Sequence, residues 1–209
     1  MKGVVFDIDG TLVDSRERHA LVLRYALDKN GLAAEGFDAA AFLAFKREGG
    51  SSKDFLRHQM KLSEKYCNMV ASCWVEHIED EFFLRSDTLY PDSLYTLKKV
   101  KEEGYAVHIL TARQNASAVK KQIEGFSLGG YVDDVVVVSP KNAVVHKKDA
   151  LLCWKDTILS IGDSEVDYNA AKAAECAFFA LSRGFRSQSY WKKLGVLSHE
   201  DFSELFLYI

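Results

Sequence analysis

The stretch Val4-Val5-Phe6-Asp7-Ile8-Asp9-Gly10-Thr11 constrains the chain more than any other. Val4, Val5 and Phe6 are β-branched or aromatic and uninterrupted by charge, the pattern of a fully buried strand. That strand runs straight into two aspartates one residue apart, which share a face if the extended geometry persists. Gly10 and Thr11 then turn the chain outward. Two carboxylates at the end of a buried strand are costly unless a cation or donors compensate them. A hard divalent ion such as magnesium, completed by waters and a substrate phosphate, is the usual compensation for an oxygen cluster of this kind.

Downstream, two textures coexist. From about residue 15 to 88 the sequence reads as helical throughout. Asp14 and Glu17 are spaced like a capping box for a helix that Asn30-Gly31 ends. Asp38 caps 39–47, the Gly49–Ser52 cluster breaks the chain, and helices are expected over 53–65 and 68–84. From Tyr90 onward apolar strands alternate with helices. The strands fall at 106–110, 135–138, 157–161 and 177–181; helices fall at 92–103, 115–124, 147–154, 167–174, 187–194 and 200–207. This alternation predicts an α/β fold, a Rossmann-like parallel sheet with helices on both faces. The first strand must pair with strands that follow the helical stretch. The expected division is therefore a core of 1–14 and 89–209, interrupted by an all-helical insert of 15–88.

In open parallel sheets ligands bind beyond the carboxyl ends of the strands. Asp7 and Asp9 end one such strand, Thr111 another, and Asp163 follows a third. Their convergence at one sheet edge is the expectation on which a functional reading rests. A net charge of −3 with no basic stripe argues against nucleic acid or a membrane surface as partner. No apolar run is long enough for a membrane span, and Asp7 and Asp9 interrupt the early run that a signal peptide would need. The expected compartment is the cytoplasm. Cys67, Cys73, Cys153 and Cys176 lack zinc-site or redox spacing and read as reduced thiols.

Four segments in order, Asp7-Ile8-Asp9-Gly10-Thr11, Tyr90 through Thr111, Lys147 or Lys148, and Gly162-Asp163-Ser164-Glu165-Val166-Asp167, resemble the motifs of the haloacid dehalogenase-like hydrolase superfamily. The resemblance spans nearly the whole chain. It points to the phosphatase branch with a helical type-one cap, phosphoglycolate phosphatase-like, with residues 15–88 as the cap. It implies a magnesium-dependent phosphatase acting on a small phosphorylated metabolite through an aspartyl-phosphate. Asp7 is then the nucleophile and Asp9 the acid and base, a distinction the symmetric spacing alone does not make. The implied metal group is Asp7, Asp9, Asp163 and Asp167. Thr111, with Ala112 and Arg113, would hold phosphate or substrate. Lys147 or Lys148 would offset charge on the nucleophile and the phosphoryl group. The third segment departs from the form common among type-one members, so both lysines stay open. A phosphomutase, a phosphonatase using a cap lysine such as Lys46 or Lys53, and a binding protein on a retired enzyme fold are the alternatives. Trp74, Trp154 and Trp191 read as packing. Arg47, Lys53, Arg57 and His58 read as leaving-group contacts or a solvated helix face. Neither the particular phosphoester nor the oligomeric state follows from these motifs.

Overall fold

The computed structural model describes residues 2–32 and 34–209. Strand β1 (Gly3–Phe6) lies inside a six-stranded parallel sheet with β4 (Ala106–Ala112), β5 (Asp134–Val138), β6 (Thr157–Gly162), β7 (Ala177–Leu181) and β8 (Ser198–His199), in the order β5-β4-β1-β6-β7-β8. Both neighbours of β1, namely β4 and β6, come from beyond the helical insert. The pleat explains the composition of β1. Val4 and Phe6 face one core cluster, containing Leu97, Val100, Val119 and Ile123 of α6 (Ser93–Glu102) and α7 (Ala116–Gly125). Val5 faces the other cluster, with Leu151 of α8 (Ala143–Cys153) and Ala170 and Ala171 of α9 (Glu165–Ala173). A strand covered on both faces has no position left for a polar residue until it ends. Each large side chain so buried contributes about 1.5–3 kcal/mol before entropy is counted.

The insert comprises α1 (Arg16–Lys29), α2 (Ala39–Arg47), α3 (Ser52–His58), α4 (Glu64–His77) and α5 (Glu81–Leu84). It packs around its own cluster, in which Leu23, Leu27, Phe42, Leu56, Cys67 and Val70 are fully buried. The chain leaves the sheet through β2 (Val13–Asp14) and returns through β3 (Thr88–Leu89), and these two short strands pair antiparallel. No helix among the described residues is long and apolar enough to cross a membrane.

Several local expectations are corrected. Asp14 does not form a capping box with Glu17. Its carboxylate instead accepts from the backbone N–H and the guanidinium of Arg16, and Ser15 caps α1 without a side-chain bond. The helix expected at 53–65 stops at His58, because Lys61 turns left-handed and the Leu62 N–H returns to the Leu56 carbonyl. That reversal lets Leu56 and Cys67 meet in one cluster. The helix expected at 200–207 is replaced, after β8, by bends and turns and a single 3₁₀ turn at Leu205–Leu207. His199 stacks on Phe179 at 4.2 Å and its carbonyl accepts from the Ser182 N–H, so the chain adds an edge strand. Asp38, by contrast, caps α2 as expected, accepting from the N–H groups of Ala40 and Ala41.

Candidate active site

The sheet ends are where the charges gather. The Asp7 N–H still pairs with the Ile161 carbonyl, so the carboxylate emerges at the point where β1 leaves its ladder. Gly10, at φ +78°, closes the turn behind it by donating to the Val13 carbonyl. A Cβ at Gly10 would fall inside the Asp163 carboxylate, and one at Gly184 would meet the same group. Glycine is required at both places because backbone approaches this carboxylate from two sides. The Phe185 N–H donates to Asp163, which is 1% exposed.

Lys147, on α8, reaches into this group and is buried. Its Nζ lies 2.7 Å from Asp7 Oδ1 and 2.5 Å from Asp167 Oδ1. Asp167, on the first turn of α9, also accepts from Ser164 Oγ at 2.6 Å. Asp7, Asp163 and Asp167 each offer a carboxylate oxygen within 4.8 Å of the others. Lys148 faces away and pairs with Asp149 at 2.9 Å, so of the two adjacent lysines Lys147 meets the aspartates. Thr111 and Ala112, at the end of β4, line the same cavity of about 300 Å³.

Asp9 behaves differently. Its carboxylate leaves the three-carboxylate group and is held by arginines. Arg113 donates through Nε to Oδ2 and through Nη2 to Oδ1, both at 2.7 Å, and Arg18 of α1 donates to Oδ1. The Asp9 carboxylate thus stands apart from the group that Asp7, Asp163 and Asp167 form among the described residues. Arg113 is not a solvated helix-start residue; it is 3% exposed. Arg18 went unnoticed because Arg16-Glu17-Arg18 reads as a charged helix start. One signal was available: Arg18, Val22 and Ala26 recur every four residues on the buried stripe of α1.

The protonation equilibria follow from burial and these partners. Burial, aided by the charges of Asp167 and Asp9 and opposed by Lys147, pushes the Asp7 carboxyl up to about 7. Asp163 is raised well above the usual carboxylate range by burial and by Asp7 and Asp167. Burial would lower the Lys147 amine, but Asp167 and Asp7 outweigh it and raise it. Burial would raise Asp9, but Arg113 and Arg18 hold it far below the usual range. One lysine facing three buried carboxylates leaves negative charge uncompensated. An oxygen-seeking divalent cation matches that deficit, and the donor set contains only carboxylates. On both counts the residues fit magnesium.

The insert supplies the opposite wall through Arg18, His19, Trp74 and Glu79. Several contacts hold it against the remainder of the chain, two of them beside the cavity. Glu79 accepts from the N–H groups of Gln114 and Asn115, ahead of α7. Arg47 donates to the carbonyls of Ser182, Arg183 and Gly184, the loop that carries the Phe185 amide to Asp163. Arg47 thus binds backbone rather than lining the cavity, while Lys53 and Arg57 are engaged with Glu64. Trp74, expected as packing, lines the cavity and donates to the His19 carbonyl. Lys46 sits behind His19, with its Nζ 2.9 Å from Nδ1 and over the Phe185 ring. Burial, with the Arg186 charge, brings its amine down to about 7.

Residues 1–175 match the family described as haloacid dehalogenase-like hydrolase. A phosphoglycolate phosphatase from Cereibacter sphaeroides is 29% identical, over 96% of this chain and 95% of the relative. A phosphoglycolate phosphatase from Aquifex aeolicus is 26% identical over 83% of this chain and 81% of its own length. Among solved structures, a haloacid dehalogenase-like family hydrolase from Streptococcus pneumoniae superposes with a TM-score of 0.77 at 20% identity. That match covers 100% of this chain and 99% of the other, and establishes likeness of fold.

Proposed function

The chain belongs to the haloacid dehalogenase-like hydrolase family, and from that premise we propose that it is a magnesium-dependent phosphatase hydrolysing a small phosphomonoester through an aspartyl-phosphate on Asp7. The observation that carries this reading is the buried group in which Lys147 bridges Asp7 and Asp167 beside Asp163. Asp7 and Asp163 would hold the metal, with Asp167 completing the carboxylate set. When bound, the metal neutralises charge on the phosphoryl oxygens and on the nucleophile.

In the first half-reaction an Asp7 oxygen attacks phosphorus while the ester P–O bond breaks, and Asp9, once it has left its arginines and taken up a proton, gives that proton to the departing oxygen. In the second, water attacks the same phosphorus, Asp9 takes the water proton, and the bond to Asp7 breaks. Lys147 stays protonated and offsets the charge shared by Asp7 and the phosphoryl group. Thr111 and the amides after it, including that of Ala112, offer donors to the phosphoryl oxygens. Residues 15–88 would act as a cap over a core of 1–14 and 89–209, excluding water from the cavity. The paired strands β2 and β3, where both crossings meet, support that division. The relatives' name makes 2-phosphoglycolate the first ester to try, with the cytoplasm as the proposed compartment.

The test is hydrolysis of p-nitrophenyl phosphate and 2-phosphoglycolate, with and without magnesium, by the native protein and by Asp7→Asn. We expect magnesium-dependent turnover that falls by about 10⁴-fold or more in the variant. Turnover surviving the substitution would exclude Asp7 as nucleophile.

A further inference from the structure

The cavity has a second charged group besides the acidic one, and the catalytic cycle above leaves it unexplained. Arg113 and Arg18 come from opposite sides, one at the end of β4 and one on the insert, and both line the cavity. Their side chains are 2% exposed, so their charges are withdrawn from water. A buried guanidinium is costly unless its fork of donors is matched.

These donors are not all matched. Arg113 spends Nε and Nη2 on Asp9, while its buried Nη1 has no acceptor. Arg18 spends Nη2 on Asp9 and Nη1 on the Ile78 carbonyl at 3.4 Å. Its Nε lies 3.2 Å from Asp87 Oδ1 but makes no aligned hydrogen bond. Asp87 sits behind the pair, 3.8 Å from Arg113, and does not line this cavity. Lys46 adds positive charge behind His19 and has no carboxylate at ion-pair distance among the described residues. The cavity thus carries buried carboxylates at one end, while at its basic end the two arginines face Asp9 and Glu79. Its basic end already holds a carboxylate, that of Asp9, in forked geometry.

We propose that Arg113 and Arg18 form a specificity subsite for a carboxylate on the leaving alcohol, which Asp9 fills in the absence of substrate. The proposal rests on the phosphatase reading above and names its substrate class: phosphate monoesters of short hydroxy acids. The incoming carboxylate takes the fork and the spare Nη1, and Asp9 is released toward the scissile oxygen. An ester without that carboxylate leaves Asp9 held where it is. A cavity of about 300 Å³ limits the class to small acids.

The test compares kcat/KM for 2-phosphoglycolate and 2-hydroxyethyl phosphate, esters of similar size that differ in the carboxylate, with magnesium present. The native enzyme should favour the acidic ester by about 100-fold or more, as expected of a site built to hydrogen-bond one group. Arg113→Lys and Arg18→Lys should each reduce that ratio by about tenfold, since a lysine cannot supply the fork. The ratio is internal to each preparation, so partial loss of folded protein cancels. Hydrolysis of both esters at similar rates by the native enzyme overturns this proposal and leaves the phosphatase reading standing. A large ratio unchanged in both lysine variants removes the assignment to these arginines. Failure to hydrolyse either ester or p-nitrophenyl phosphate overturns the phosphatase reading, and this proposal with it.

Discussion

The acidic floor of the cavity and its basic roof are made by different means. The floor comes from strand ends: Asp7 follows β1, Asp163 follows β6, and glycines at 10 and 184 let backbone close around Asp163. The roof comes from the sides of helices, with Arg18 and His19 on α1 and Trp74 on α4, and Lys46 of α2 behind His19. Floor residues are fixed by the sheet, whose register leaves little freedom in where a terminal side chain points. Roof residues depend on how five helices dock, and contacts with backbone, among them those of Glu79, Arg47, Gln114 and Arg186, hold that docking. On the reading proposed above, bond making and breaking belong to the floor, and recognition is shared between Arg113 at the end of β4 and Arg18 on α1.

The comparison breaks most visibly at Lys147. Lys147→Met leaves Asp7 and Asp167 buried against each other without a cation from the protein. We expect kcat to fall by about 10²–10³-fold and stability by about 3 kcal/mol, as when one partner of a buried ion pair is removed. Steady-state kinetics and urea denaturation at saturating magnesium measure the two. A loss of kcat below tenfold would mean that the floor does not depend on its lysine.

The two ends were also unequally legible. Asp7, Asp163 and Thr111 fall at or near strand ends and in recognisable spacings, so the sequence pointed to them, while Lys147, within α8, stayed open beside Lys148. Asp9 was found for the same reason, and Arg113 as a candidate contact, yet their pairing and the part of Arg18 were not, because a side chain's direction after a turn is not encoded in spacing. Arg18 looked like an ordinary helix charge, and Lys46 only like a lysine a phosphonatase could use. Only the packing of α1 and α2 against the 182–187 loop and the α4–α5 turn reveals that they are turned inward. The helix breaks at 59–63 and 78–80 were missed on similar grounds, since polar residues such as Lys61 and Asp80 turn the chain there without proline or glycine. The sheet, whose strands announce themselves by uninterrupted β-branched runs, was read correctly except for the two-residue edge strand β8.

A smaller effect should appear where roof and floor are tied together. Arg47 belongs to the insert but holds the carbonyls of residues 182–184, and so steadies the amide that donates to Asp163. It does not line the cavity, so its removal acts through that amide. Arg47→Ala should raise the magnesium concentration for half-maximal activity by about tenfold, the lower end for losing an outer partner of a metal ligand. A titration of activity against magnesium distinguishes this from simple destabilisation, which would lower the plateau without moving the midpoint.

The smallest effect concerns stability and isolates the roof. Burial holds the Lys46 amine at about 7 in the folded chain, against an ordinary value of 10.5. Between those values the unfolded chain binds more protons than the folded one, so stability attributable to this group rises with pH across that window. The cost of burying the charge is therefore fully present below about pH 7 and relieved as pH approaches 10. Lys46→Met keeps the stem among Phe42, Trp74 and Phe185 while deleting the charge. It should raise the melting temperature by about 3 °C at pH 6.5, with the gain shrinking toward pH 9.5. Differential scanning calorimetry at the two pH values reads the difference directly. A variant less stable than the native protein at pH 6.5 would show that the amine's bond to His19 outweighs its burial.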